Sequence, residues 1–440
     1  MNGKVPKRIA TILLNSLKGG VVPRTGLGYI AVGREKELNA LLNDVNFIEE
    51  GGATFRFIVG KYGSGKSFLL QMIRNHVMDK GFVVMDADLS PERRLTGTKG
   101  QGLATYRELV RNMSTKTKPD GGALPLILEK WISSIQSDLL MNGDVKVDDP
   151  KFSELVEKEI YRVVSQVEGM VHGFDFAKII LTYWNGYKEG NDEKKGAALR
   201  WLRGEITTKS ECKELLGINI MITDDNWYDY VKLLAVFMVK AGYKGMLLLI
   251  DELVNLYKIP MTVARQNNYE KILTMYNDIL QGKAEYLGII MGGTPQCVED
   301  TRRGIFSYEA LKSRLEDSRF ANDEARDFLA PIIRLKPLTP SEMTILVEKL
   351  ADIHADLYQY VRKVTLDELI HFIQIEFSRV GALTNITPRE IIRDFIELLN
   401  TLYQYPEKDL LTIIQSDEFQ NHSQPFADQD VSDEFASFEL

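Results

Sequence analysis

The sequence predicts an α/β fold, a parallel sheet with a large helical insertion and a helical C-terminal lid domain. Three observations predict it. The apolar run Phe55-Arg56-Phe57-Ile58-Val59 enters a glycine-rich loop that opens a helix. Further short apolar runs, at 82–87, 246–250 and 287–291, have the length and Gly punctuation of buried parallel strands. Between 90 and 243, and again from 341 to about 402, apolar residues recur at helical intervals instead.

Taken in order, residues 5–18 space Ile9, Ile12, Leu13 and Leu17 as one helix ending at Gly19-Gly20. A connector through Pro23, Gly26 and Gly28 leads to Val32-Gly33-Arg34-Glu35. A second helix follows, with Leu38, Leu41, Leu42 and Val45 on one face, stopped by Gly51-Gly52. The helix after the glycine loop runs from Lys66 to about Asp79, and the strand at 82–87 follows at the spacing of a parallel crossover. Breaks at Gly121-Gly122, Gly143 and Gly190-Asn191 divide the insertion into several helices. Ile332-Ile333-Arg334-Leu335 reads as a last strand. The domains expected are therefore 1–50, 51–335 with the insertion at about 90–243, a helical lid at 336–408, and an acidic tail at 409–440. That tail alternates acids with Phe419, Phe426, Phe435 and Phe438 and is expected to be disordered in isolation.

Composition narrows the chemistry. Apolar residues make up 44% and charged residues 26%, a globular balance, and no apolar run is long enough to span a bilayer. The apolar stretch after Lys4, Lys7 and Arg8 is soon interrupted by Lys18 and lacks a small-residue cleavage site, so a cytoplasmic chain is expected. Cys212 and Cys297 are the two cysteines, far apart, and five His include no HxxxH pair, which leaves disulfide and zinc sites without support. A net charge of -8 argues against whole-surface affinity for nucleic acid but leaves room for a local basic patch.

Gly60-Lys61-Tyr62-Gly63-Ser64-Gly65-Lys66-Ser67 matches GxxxxGK[ST] in full between a predicted strand and a predicted helix. Such a loop converges backbone N–H groups on phosphate oxygens, aided by the field of the helix N-terminus. Lys66 neutralises the β and γ phosphates and the Ser67 hydroxyl ligates Mg²⁺; Phe68 follows in the same nucleotide-binding stretch. Met246-Leu247-Leu248-Leu249-Ile250-Asp251-Glu252 ends a buried strand in two acids, so Asp251 is the expected metal partner and Glu252 the base that activates water.

Thr294, in Gly293-Thr294-Pro295, has two compatible readings: a polar group at the γ-phosphate, or the cap of the next helix. Arg314, with Arg319 as its rival, is a candidate to stabilise transition-state charge; a solvated helix face is the alternative. Arg389 opens a helix behind Thr387 as cap and Pro388 at the first position. A cation there is unfavourable for the helix dipole unless an anion lies nearby.

The order Val-Gly-Arg-Glu, phosphate loop, Asp-Glu strand, Gly-Thr-Pro strand and Thr-Pro-Arg-Glu resembles the AAA+ ATPases near the origin-recognition and STAND branch. More narrowly, the chain resembles the ATP-binding proteins of BREX-type bacterial phage-defence systems. The residues carrying this are Gly19-Gly20-Val21-Val22-Pro23, Trp201-Leu202-Arg203-Gly204-Glu205, Gly242-Tyr243-Lys244-Gly245 and Thr387-Pro388-Arg389-Glu390. The resemblance implies ATP and Mg²⁺ as cofactors, Gly33 and Arg34 near the base, Thr294 as first sensor, Arg389 as second sensor, and Arg314 as a finger supplied between subunits. It also implies a homo-oligomeric motor or switch working with DNA and a partner helicase or nuclease, with no membrane partner. A nucleotide-dependent scaffold or sensor is the competing expectation. A kinase using the same loop is a third, for which the sequence holds no acceptor-activating motif.

Overall fold

The structure, a computed structural model, describes residues 4–142, 146, 150–316, 326–378 and 387–415. It divides into two compact units: one takes residues up to 35, 62–68 and those from 336 on, the other 36–61 and 69–335.

The larger unit is organised by a five-stranded sheet in the order β2-β3-β4-β1-β5, built from β1 (Ala53–Val59), β2 (Val83–Asp88), β3 (Met246–Asp251), β4 (Leu287–Gly293) and β5 (Ile332–Arg334). Every pairing is parallel. The strands are almost wholly apolar because both faces are covered, as parallel sheets require. Phe55, Phe57, Val59, Met85, Leu248 and Met291 belong to one core and Ile58, Val84, Leu247, Leu249 and Ile290 to the other. The second core is completed by α3 (Glu35–Glu49) and α4 (Lys66–Asp79) through Leu41, Val45, Ile48, Leu69, Ile73 and Val77.

On that face Arg56 is buried and pairs with Asp44 at 2.6 Å, while its Nη1 donates to the carbonyls of Leu329 and Ala330, also at 2.6 Å. The pair fastens β1 to α3 and to the segment that leads into β5.

Between β2 and β3 the chain forms α5 (Gln101–Arg111), α6 (Leu124–Asn142), α7 (Pro150–Ser165), α8 (Gly173–Glu189), α9 (Asp192–Leu202), α10 (Lys209–Leu216) and α11 (Trp227–Lys240). Their interior is aromatic: Tyr106, Phe176, Tyr183, Trp201, Trp227, Tyr230 and Phe237 are all fully buried. Three polar tips find carbonyls, while the Tyr230 hydroxyl is buried without a partner among the described residues. Trp201 Nε1 donates to Ile220 O at 2.8 Å, Trp227 Nε1 to Leu95 O at 3.0 Å, and Tyr106 Oη to Leu202 O at 2.7 Å. The Trp201-Leu202-Arg203-Gly204-Glu205 stretch is thus a packing element of the insertion. Gly242-Tyr243-Lys244-Gly245 is structural in the same sense. Lys244 N donates to Gly81 O and its Nζ meets Glu49 at 2.7 Å, setting the start of β3 against β2.

After β3 come α12 (Val254–Tyr257), α13 (Thr262–Leu280), α14 (Pro295–Glu299) and α15 (Glu309–Leu315). Cys212 and Cys297 are both buried free thiols.

The smaller unit packs α1 (Lys7–Lys18) against α16 (Pro340–Tyr358) and the Pro388–Gln404 helix, α18; α2 (Leu27–Ile30) and α17 (Leu366–Ser378) lie against α16. The unbroken helical pattern expected from 341 to 402 is interrupted. Gln359 takes a left-handed backbone (φ 59°), and Thr365 with Glu368 forms a cap that starts α17 afresh. The acidic tail is expected from 409, yet Leu410–Ile414 is a further helix of this unit, α19, capped by Asp409 and burying Leu410 and Ile414. Its four aliphatic residues outweigh the acidic composition around them. Residues 416–440, Arg319 and Gly143 lie outside the described residues. Among the described residues no helix is long and apolar enough to cross a membrane.

His354 is fully buried in α16, between Tyr360 Oη at 2.9 Å and Asn400 Oδ1 at 3.3 Å, and burial lowers its pKa. Unfolding releases a more basic imidazole, so stability is intact above the free value of about 6.5 and falls as pH drops below it. Thermal melting between pH 7.5 and 5 is expected to show a steeper loss for wild type than for His354→Gln; parallel curves would count against this.

Candidate functional site

The sequence-predicted residues fall into two groups, one in each unit. The first lies at the C-terminal edge of the sheet. Side chains alternate along a strand, so Asp251 follows Leu247 and Leu249 onto the α3/α4 face. Register sets Val59 of β1 opposite Gly293 of β4, and Gly60 N then donates to Gly293 O at 3.1 Å. The root of the glycine loop and Thr294 therefore leave the sheet side by side, with Asp251 one strand further on. A methyl at Gly292 would collide with the Asp251 carboxylate and reach within 3.3 Å of Leu70 Cδ1 on α4. The bare glycine makes room for the acid, a requirement the sequence alone did not reveal.

Glu252 breaks the strand. Its φ of 62° is left-handed, a conformation that costs a non-glycine residue roughly 1–3 kcal/mol. Its N–H donates to Asp251 Oδ1 at 2.8 Å, and Leu253 N returns to Gly292 O at 3.0 Å. The turn exposes Glu252 while fixing Asp251.

Thr294 is buried and caps α14, its Oγ1 accepting from Cys297 N at 3.4 Å. The segments after Glu252 and Thr294 are also tied together: Tyr257 Oη donates to Asp300 Oδ2 at 3.0 Å, and Arg303 Nε donates to Tyr257 O at 2.9 Å. Arg314 is exposed on α15, with Nη1 donating to Ala310 O at 2.6 Å.

One further acid belongs to this edge. Asp88 ends β2 in register with Asp251. Burial first, then Asp251 and Asp86, raise its pKa, although the residue keeps solvent contact. Nothing in the sequence marks it, because a lone acid at a strand end is ordinary.

The second group belongs to the smaller unit. Arg34 is buried, and its Nη2 donates to Ser64 O of the glycine loop at 2.9 Å and to Lys336 O at 2.8 Å. The guanidinium thus braces the loop from behind. Gly33 lies against Glu342 and Leu338. Gly63 has φ 73° and presses on Thr387, leaving no space for a side chain. Thr387 is the cap of α18, with the Glu390 carboxylate accepting its N–H and hydroxyl at 3.0 Å each. Arg389 is exposed and rests its stem near Gly20. Tyr62 is exposed, with Lys66 Nζ 5.5 Å from its ring centroid. Gly65, Ser67 and Phe68 complete the loop and enter α4; Lys61 precedes it.

Taken singly, the Asp251 carboxylate and the Ser67 hydroxyl each offer the hard oxygen type that Mg²⁺ prefers. Among the described residues, no three His, Cys, Asp or Glu are gathered so as to hold an ion by themselves.

No curated protein matches the chain. The family described as BREX system ATP-binding protein BrxC/D matches residues 5–418. That match spans both units and both groups of residues, and it implies nucleotide binding within a multi-protein phage-defence system. With a parallel α/β sheet and a family match over nearly the whole chain, the chain belongs to the BREX system ATP-binding protein BrxC/D family.

Proposed function

We propose that the protein is a Mg²⁺-dependent ATPase of the AAA+ type, acting as an oligomeric motor or switch with DNA and a partner helicase or nuclease in anti-phage defence. The observation that carries hydrolysis is the end of β3, where Asp251 is seated against a bare Gly292 and Glu252 is turned out on a left-handed backbone. In this reading the loop at 60–67 holds the phosphates, Lys66 their charge, and Ser67 with Asp251 the magnesium. Magnesium held there would supply positive charge that offsets the charge of the phosphates. Glu252 accepts the proton of the attacking water. Thr294 orients that water, the C-terminal helices act as a lid bringing Arg389 to the phosphates, and Arg314 serves a neighbouring subunit.

Lys66→Ala tests the cradle. Losing charge-assisted hydrogen bonds worth about 1.5–3 kcal/mol should weaken ATP binding roughly 10- to 100-fold in calorimetry. Unchanged affinity would remove the basis of the proposal.

A second reading, a nucleotide-dependent scaffold or sensor, draws on the smaller unit. There the loop, Arg34 and the Thr387 cap pack together, so a bound phosphate would bear on the C-terminal helices directly. Sizing of Glu252→Gln with ATP separates the two: a scaffold still assembles with its partners and signals, whereas a motor traps ATP and stops.

A further inference from the structure

The geometry points to Asp88 as a positioning residue that holds a water of the magnesium shell beside Asp251, an inference that rests on the ATPase reading above. Three observations carry it. On β2, Val84 faces the α3/α4 core while Val83, Met85 and Ala87 face the other, so Asp86 and Asp88 share the face of Val84. Asp251 projects from that same face one strand over, in register with Asp88. Neighbouring strands lie about 4.8 Å apart, which sets the two carboxylates abreast at the edge where the loop begins.

The two acids of β2 are treated differently. Asp86 is engaged by Arg74 of α4 at 3.1 Å, and Arg74 is itself anchored to Ser114 Oγ and Pro119 O at 2.7 Å each. The Asp88 carboxylate has no ion pair and no side-chain hydrogen bond among the described residues, and the residue is solvent-exposed. Its backbone is nonetheless fixed. Arg93 Nε donates to Asp88 O at 3.0 Å, Leu89 N to Asp251 O at 3.0 Å, and Asn255 Nδ2 to Leu89 O at 2.8 Å. Arg93 is the cation that acts on Asp88, and Asp251, Asp86 and Glu108 oppose it, so the rigid strand end keeps two carboxylates side by side, an arrangement that further positive charge stabilises.

Magnesium dehydrates reluctantly and keeps several waters. A carboxylate one strand from the ligand is placed to accept a hydrogen bond from such a water, and outer partners of this kind orient the primary ligands.

The test measures binding of a fluorescent ATP analogue to the full chain while Mg²⁺ is titrated, for wild type and Asp88→Asn, with thermal melting in EDTA alongside. The variant is expected to bind the analogue in EDTA as wild type does, yet to need about tenfold more Mg²⁺ for half-maximal enhancement. Its melting midpoint in EDTA should be equal or higher, because a like charge next to Asp251 is gone. An unchanged Mg²⁺ midpoint, or a midpoint of melting that falls in EDTA, overturns the assignment and makes Asp88 a structural residue. If wild type itself fails to bind the analogue, the ATPase reading fails and carries this inference with it.

Discussion

Glu252→Gln is expected to lower ATP turnover by roughly 10²- to 10⁴-fold while nucleotide still binds, because the amide keeps the size of the side chain but accepts no proton from water. The strained turn at φ 62° is preserved by a side chain of the same shape, so the loss is chemical rather than conformational. Single-turnover phosphate release, run beside equilibrium binding of ATP, separates the two steps. Turnover within a few fold of wild type would assign the base elsewhere along the sheet edge and leave the strain at 252 without a purpose.

Gly292→Ala is the second large effect, and it replaces no charged group. Gly292 has an ordinary strand backbone, so alanine costs little conformationally; the new methyl meets the Asp251 carboxylate head on. That carboxylate is also held by Glu252 N–H at 2.8 Å, and moving it disturbs the turn that presents Glu252. Misplacing a reacting group by about 1 Å can cost on the order of 100-fold in rate. Turnover should fall by that order while circular dichroism and melting stay close to wild type. Turnover within twofold of wild type would mean that the acid either relaxes without cost or holds no metal.

Much of this site is written locally. The loop at 60–67 and the acid pair at 251–252 are contiguous motifs in a strand context, so their positions on β1–α4 and β3 follow from patterns a few residues long. What could not be read is what depends on neighbours distant in sequence. Gly292 matters because β4 lies between β1 and β3, an order fixed by packing rather than by any local signal. Asp88 gains interest from its register with a residue 163 positions later (251 minus 88). Arg34, which the resemblance puts near a base, donates to the carbonyls of Ser64 and Lys336, partners that no local pattern announces. The new start of α17 and the helix at 410–414 are hidden for a different reason: composition averaged over a long stretch conceals a single capping residue.

All four tryptophans, Trp131, Trp184, Trp201 and Trp227, reside in the inserted helices between β2 and β3, and each is buried. Ultraviolet emission excited at the indole band therefore originates from the insertion alone, and the glycine loop is spectroscopically dark. A shift in that emission when ATP is added would signal that the disturbance has travelled out of the loop and through the sheet, with no label attached.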